Sequence, residues 1–179
     1  LYRELQIQLF YTQGKLELAR QLTHQALADQ RPLSAESLWN LQQWQLRLLR
    51  DAGLTLQRAR FAADILGMHD DAAYQSTLNQ GIWQDLQSTS IASLRKELER
   101  SRSSEWRGWL ELALLDNGLP QEPKSQRENW LSWLRQYPQH PAALSPPGGQ
   151  NDIPQKAPQR IALLLPMSGP LASAAESIV

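Results

Sequence analysis

The chain has 179 residues, 41% of them hydrophobic, and its 18 Lys and Arg balance its 18 Asp and Glu, for a formal net charge of zero. The length suits one or two domains with a sizeable core, and the charge balance argues against a chain-wide pull on nucleic acid or an anionic membrane. Cysteine is absent, which excludes disulfides, cysteine nucleophiles and thiolate metal sites within this sequence.

Leu1 to Gln13 reads as a helix, with Leu1, Leu5 and Leu9 at steps of four and Gly14 as its break. Leu16 to Ala28 reads as a second, ended by Arg31-Pro32 because a residue before proline is pushed out of helical space. Ser34 caps a third that reaches Arg50 and carries Leu38, Leu41, Trp44 and Leu48 on one stripe. Gly53 turns the chain into a fourth, marked by Leu56, Ala59, Ala63 and Leu66 and closed by Gly67 as a C-terminal glycine.

Two hairpins with a glycine between their helices invite a comparison with tetratricopeptide units. Gly14 is followed by Ala19, by Ala26-Leu27 and by Pro32, and Phe10 supplies the aromatic of the first helix. Ile7 stands where a small residue belongs, so this pair is expected to pack more widely. The second unit is irregular, since Gly53 lies 39 residues after Gly14 against about 34 in the regular repeat.

Further helices are expected over Asp71 to Leu86 despite Gly81, over Ile91, Leu94 and Leu98 behind a Ser90 cap, and over Ser104 to Leu115. A capping-box pair, Ser125 and Glu128, opens a last one that reaches Tyr137 before Pro138 and Pro141. Four hairpins of this kind make a small superhelix with a core shared between neighbours. Ala142 to Pro158, with Pro146-Pro147-Gly148-Gly149, reads as a semi-stiff linker.

Arg160 to Val179 differs in kind. Ile161 to Leu165 reads as a buried strand, Pro166 to Pro170 as a tight turn, and Pro170 as the first position of a helix. This is the opening βα unit of an α/β domain. Ser168 and Gly169 sit in its turn, where open α/β sheets hold ligands, although a fold-forming turn fits them equally well. The longest apolar run, Ile161 to Pro166, is far short of the roughly 20 residues of a membrane-spanning helix. Leu1 is not a methionine and already reads as helix, so the sequence is expected to come from a longer precursor.

Seven tryptophans stand out, including the i,i+3 pairs Trp106/Trp109 and Trp130/Trp133. A sugar-stacking platform is one reading. Stitching of adjacent helices is favoured, because aromatic stripes at helical spacing usually form core. His24, His69 and His140 do not stand at metal-ligand spacing, and His69-Asp70-Asp71 reads as a solvated turn. Arg95, Lys96, Arg100, Arg102 and Arg107 form the densest basic region, interleaved with Glu97, Glu99 and Glu105. A solvated face is the ordinary reading, with Arg95 and Glu99 as an i,i+4 pair, and a docking surface the sharper one. No catalytic constellation, metal set or cofactor motif is expected.

Two stretches carry a family resemblance. IALLLPMSGPLASAAESI, from Ile161, resembles the first βα unit of periplasmic type I solute-binding proteins. Gly108 to Leu115 (GWLELALL) and Asn129 to Ala142 (NWLSWLRQYPQHPA) resemble the lipoprotein activators of penicillin-binding proteins, the LpoA family. The resemblance implies an all-α, tetratricopeptide-like superhelix over 1–141, a linker over 142–158 and the start of a solute-binding-like α/β domain over 159–179. It also implies a non-catalytic lipoprotein, facing the periplasm from the outer membrane through a lipid anchor, whose partner is a bifunctional peptidoglycan synthase. A lytic transglycosylase platform and a generic tetratricopeptide adaptor are the alternatives, and neither accounts for the α/β start.

Overall fold

The computed structural model describes residues 2–29, 32–117 and 123–147, with side chains in the last segment from residue 127 onward. The expected strand, its turn with Ser168 and Gly169, and residues 148–158 of the expected linker lie outside the described residues.

Among the described residues every regular element is helical. They are α1 (Tyr2–Thr12), α2 (Leu16–Ala28), α3 (Ala35–Asp51), α4 (Thr55–Leu66), α5 (Ala72–Gln87), α6 (Ile91–Arg100), α7 (Ser104–Asp116), α8 (Pro123–Gln136) and α9 (Pro141–Leu144). Local chemistry sets most ends. Ser34, Asp71, Ser90 and Ser103 each accept a backbone N–H three residues on, from Ser37, Tyr74, Ser93 and Trp106, which satisfies one of the free donors of a helix N-terminus.

The first two hairpins share one turn. Gly14 and Gly53 have φ of 71° and 67°, left-handed values that suit glycine. At each, two backbone bonds close the preceding helix: Gly14 N–H to Tyr11 O and Lys15 N–H to Phe10 O, then Gly53 N–H to Arg50 O and Leu54 N–H to Leu49 O. Gly67 differs. It caps α4 at φ −77°, so the chain there stays right-handed and nothing in the turn demands glycine.

Each helix from α1 to α4 packs on the next, and α7 then packs against α4, α5, α6 and α8. One core cluster joins Ile7, Ala19, Ala26, Leu41 and Leu48 across α1 to α3. Ile7 is fully buried there beside two alanines, so its bulk meets small partners. A second cluster runs from Ala59 on α4 to Ala143 on α9. Helix α3 belongs to both, since Leu46 packs on the second cluster while Leu41 and Leu48 serve the first. Helix α7 is the centre of the second half, with Trp106, Gly108, Trp109, Leu110, Leu112 and Ala113 all buried. Six buried residues among its 13 make it the helix around which this half packs.

Two details depart from expectation. Helix α8 begins at Pro123, so Ser125 lies inside the first turn rather than at the cap; proline suits a first turn because its missing N–H would be unpaired there anyway. After Pro138 the chain makes one more helical turn, α9, which buries Ala142 and Ala143 where the sequence reads as linker. His140 starts it, its Nδ1 accepting the Ala142 N–H at 3.1 Å.

Candidate functional site

The tryptophans divide by burial. Trp83, Trp106, Trp109, Trp130 and Trp133 are buried, and Trp39 is the one counted among the exposed large hydrophobics. Trp130 and Trp133 stack at 5.2 Å, and Trp133 Nε1 donates to the Gly108 carbonyl at 2.9 Å. These rings stitch α7 to α8, and a row of buried rings offers no face to a sugar. Trp39 packs edge-on to His69 at 5.1 Å and tilted on Tyr74 at 4.5 Å.

The histidines follow their surroundings. His24 is exposed. The turn is exposed at Asp70 and Asp71 as expected, and the His69 ring is half-buried: Nε2 donates to Gln42 Oε1 at 2.9 Å, and Gln42 is itself buried. Asp71 is committed to capping α5. His140 is buried against Trp109 and Trp133. Its Nε2 donates to the Glu105 carbonyl at 2.9 Å while Nδ1 accepts from Ala142, which fixes the neutral Nε2–H tautomer. Burial pushes this imidazole below its ordinary pKa, against a smaller upward pull from the Glu105 carbonyl. Among the described residues no three His, Asp or Glu converge as a metal site, and no helix is long and apolar enough to cross a membrane.

The basic region splits in two. Arg95 and Arg100 on α6 and Arg102 after it are exposed. Arg107, half-exposed, folds back on the turn, with Nη1 donating to the Leu98 carbonyl at 3.0 Å and the Ser101 carbonyl at 3.4 Å, and Nη2 reaching Glu111 at 3.3 Å. It ties the α6–α7 turn. Glu97 is used in the same way, accepting from Trp106 Nε1 at 3.2 Å.

A concave groove of about 670 Å³ lies between α3, α4 and α5. Gln43, Arg47 and Arg50 line its α3 wall, Gly81 and Gln84 its α5 wall, and Arg58 its floor. Arg58 forms a two-pronged pair with Asp85, Nε to Oδ2 at 2.7 Å and Nη2 to Oδ1. That hydrogen-bonded pairing raises the guanidinium further above its ordinary value. The Asp85 side chain is only 4% exposed, so its charge is neutralised where it is buried. Arg47 lies over Tyr11 at 4.9 Å and over Trp44 at 5.6 Å. No single helix of the sequence marks this groove. Its signal was a second stripe on α3, Gln43, Leu46, Arg47 and Arg50 at helical spacing, facing a mid-helix glycine on α5.

A family model described as "LppC putative lipoprotein" matches residues 4–179. The penicillin-binding protein activator LpoA of Yersinia pestis bv. Antiqua (strain Angola) is 33% identical over 150 residues, covering 82% of this chain and 22% of the relative. The protein of that name from Vibrio cholerae serotype O1 (strain ATCC 39541) is 29% identical over 157 residues, covering 82% of this chain and 26% of the relative. The chain thus spans about a quarter or less of the curated relatives it matches. The crystal structure of full-length LpoA from Haemophilus influenzae superposes with a TM-score of 0.72 at 18% identity, over 98% of this chain and 32% of that one. At that identity the likeness establishes the fold.

Proposed function

The chain belongs to the LppC lipoprotein family, and on that footing we propose that it is part of an activator of a bifunctional penicillin-binding protein, with its helical body acting as spacer and scaffold. The observation that carries this reading is the continuity of the family match, which runs from residue 4 to residue 179, through the helical body and on to the sequence's end. The curated relatives cited above are named as activators of penicillin-binding proteins. In this reading the protein faces the periplasm, held to the outer membrane by a lipid, and is itself no catalyst. The effector is the α/β domain that Ile161 begins.

The physical logic is one of reach. An activator anchored in one membrane must present a domain to a synthase anchored in the other. Helix pairs that share core with their neighbours resist bending, because each hinge would expose buried side chains. Helix α3 carries core residues for both halves, which keeps the body continuous.

The test is glycan polymerisation and crosslinking by a cognate synthase. Three arms are needed: the 179-residue chain, a longer protein in which the α/β domain is complete, and synthase alone. The longer protein is expected to stimulate and the 179-residue chain to leave the rate at its basal value. Full stimulation by the 179-residue chain overturns the division of labour and moves the effector to the helices. Peptidoglycan turnover by the chain alone, lost on replacing one carboxylate, overturns the non-catalytic reading.

A further inference from the structure

We propose that the groove between α3, α4 and α5 binds an extended acidic peptide segment of a partner protein, seated over Gly81. The inference goes beyond activation and holds or fails independently of it.

Gly81 is the first ground. It lies inside the 16-residue helix α5, where glycine costs about 1 kcal/mol relative to alanine. Such a glycine ordinarily has a packing reason or a positive φ. Gly81 has neither: a methyl group there would meet no atom within 4 Å, and among the described residues the positive-φ glycines are Gly14 and Gly53. What glycine does here is keep the α5 wall bare beside open space, which lets another backbone approach closely.

Charge is the second ground. Among the described residues the groove is lined by Arg47, Arg50 and Arg58 and by the carboxylate of Asp85, with Asp51 paired to Arg50 at its edge, in a chain of zero net charge. Arg58 already compensates Asp85, so the buried acid does not repel an anion. Arg47 lies over the Tyr11 and Trp44 rings, and cation–π contact places its charge on this wall without neutralising it by a hydrogen-bonded acid; Asp51 is the acid whose charge it feels. Arg50 pairs with its neighbour Asp51 at 3.1 Å, beside the mouth. Asp51 is also held by Tyr11 Oη at 2.8 Å, and the Arg50 side chain is 58% exposed, so Arg50 can take a second carboxylate while Asp51 keeps its tyrosine.

The neutral groups favour a peptide over a glycan. Gln80 and Gln84 offer both donors and acceptors, matching the N–H and C=O groups of an extended backbone. Gln43 donates to Tyr74 Oη at 2.6 Å, and its carbonyl remains an acceptor. Among the described residues no aromatic lines the groove, so these walls give a sugar ring no face to stack on, and Arg47 lies over the two nearby rings.

The experiment uses the 179-residue chain and a fluorescein-labelled decapeptide of alternating Glu and Ser, with Gln-Ser and Lys-Ser peptides as controls, read by fluorescence anisotropy. Saturable binding of the Glu-Ser peptide alone is expected. Gly81→Leu suits a helix and fills the open space, so it should melt at or above the parent temperature yet bind about tenfold more weakly. The double variant Arg47→Gln/Arg50→Gln should also lose about tenfold, with a flatter salt dependence. Unchanged binding by folded Gly81→Leu overturns the proposal. So does equal binding of a control peptide, displacement by soluble glycan strands, or no binding of the Glu-Ser peptide. No synthase enters the assay, so its failure leaves the activator reading untouched.

Discussion

Two helix-interior glycines invite opposite predictions. At Gly108 a methyl group would lie 2.7 Å from Cδ2 and 2.8 Å from Nε2 of His140, and 3.3 Å from Tyr137 Cδ1. The His140 ring is tied at both nitrogens and cannot step aside cheaply. Gly108→Ala should therefore destabilise by about 1–3 kcal/mol, although alanine is the better helix former. Gly81→Ala meets nothing and should stabilise by about 0.5–1 kcal/mol; chemical denaturation of both variants checks the sign. His140 adds a pH dependence. Its folded pKa is lowered, so the unfolded chain takes up the proton first. Its contribution is complete above the unfolded value near 6.5 and is lost as pH falls from there through the folded value, at no more than about 1.4 kcal/mol per pH unit. Glu105, raised by desolvation and then by the Asp64 charge, has the opposite sign and is common to both proteins in a comparison with His140→Gln. That variant should be less stable and should lose the fall in stability just below pH 6.5; an unchanged slope would refute the assignment to His140.

Among elements, the α6–α7 turn separates structure from surface within one basic run. Arg107 holds two backbone carbonyls. Arg107→Lys should cost about 1 kcal/mol, because an ammonium cannot span both. Alanine at exposed Arg95, Arg100 or Arg102 should shift stability by no more than about 0.5 kcal/mol. Thermal melting of the four variants decides it, and equal shifts would show that the turn does not depend on the Arg107 guanidinium. If these arginines dock a partner, as the sequence reading allowed, Arg95, Arg100 and Arg102 are the members exposed for it.

For the whole molecule, α9 moves the expected end of the protected body. Composition alone predicts cleavage across Ala142 to Pro158 and a product ending near Tyr137. Ala142 and Ala143 are 0% and 8% exposed, and proteases need an exposed, locally unfolded segment. Limited proteolysis read by mass spectrometry should give a resistant product that keeps α9 and ends beyond Leu144. An earliest cut at Gly53 or Gly81 would mean that the body opens between its hairpins.

What the sequence determined by itself is the set of signals that act within one turn of helix. Ser34 and Ser90 cap where they were read, and Gly14 and Gly53 turn the chain, because caps and left-handed glycines bond partners three to five residues away. The stripe of Leu38, Leu41, Trp44 and Leu48 likewise follows from a period of 3.6, with Leu41 and Leu48 buried, Trp44 partly so and Leu38 at its exposed edge. Tertiary structure alone decided which stripe meets which. His140 reaches Glu105 across 35 residues, Arg58 reaches Asp85 across 27, and Trp133 reaches Gly108 across 25. Nothing local marks such partners, because the free energy of each contact exists only once two distant helices are packed. For the same reason Arg107 looked like surface, Ala142 looked like linker, and the groove beside Gly81 went unseen: a space between three helices belongs to none of them.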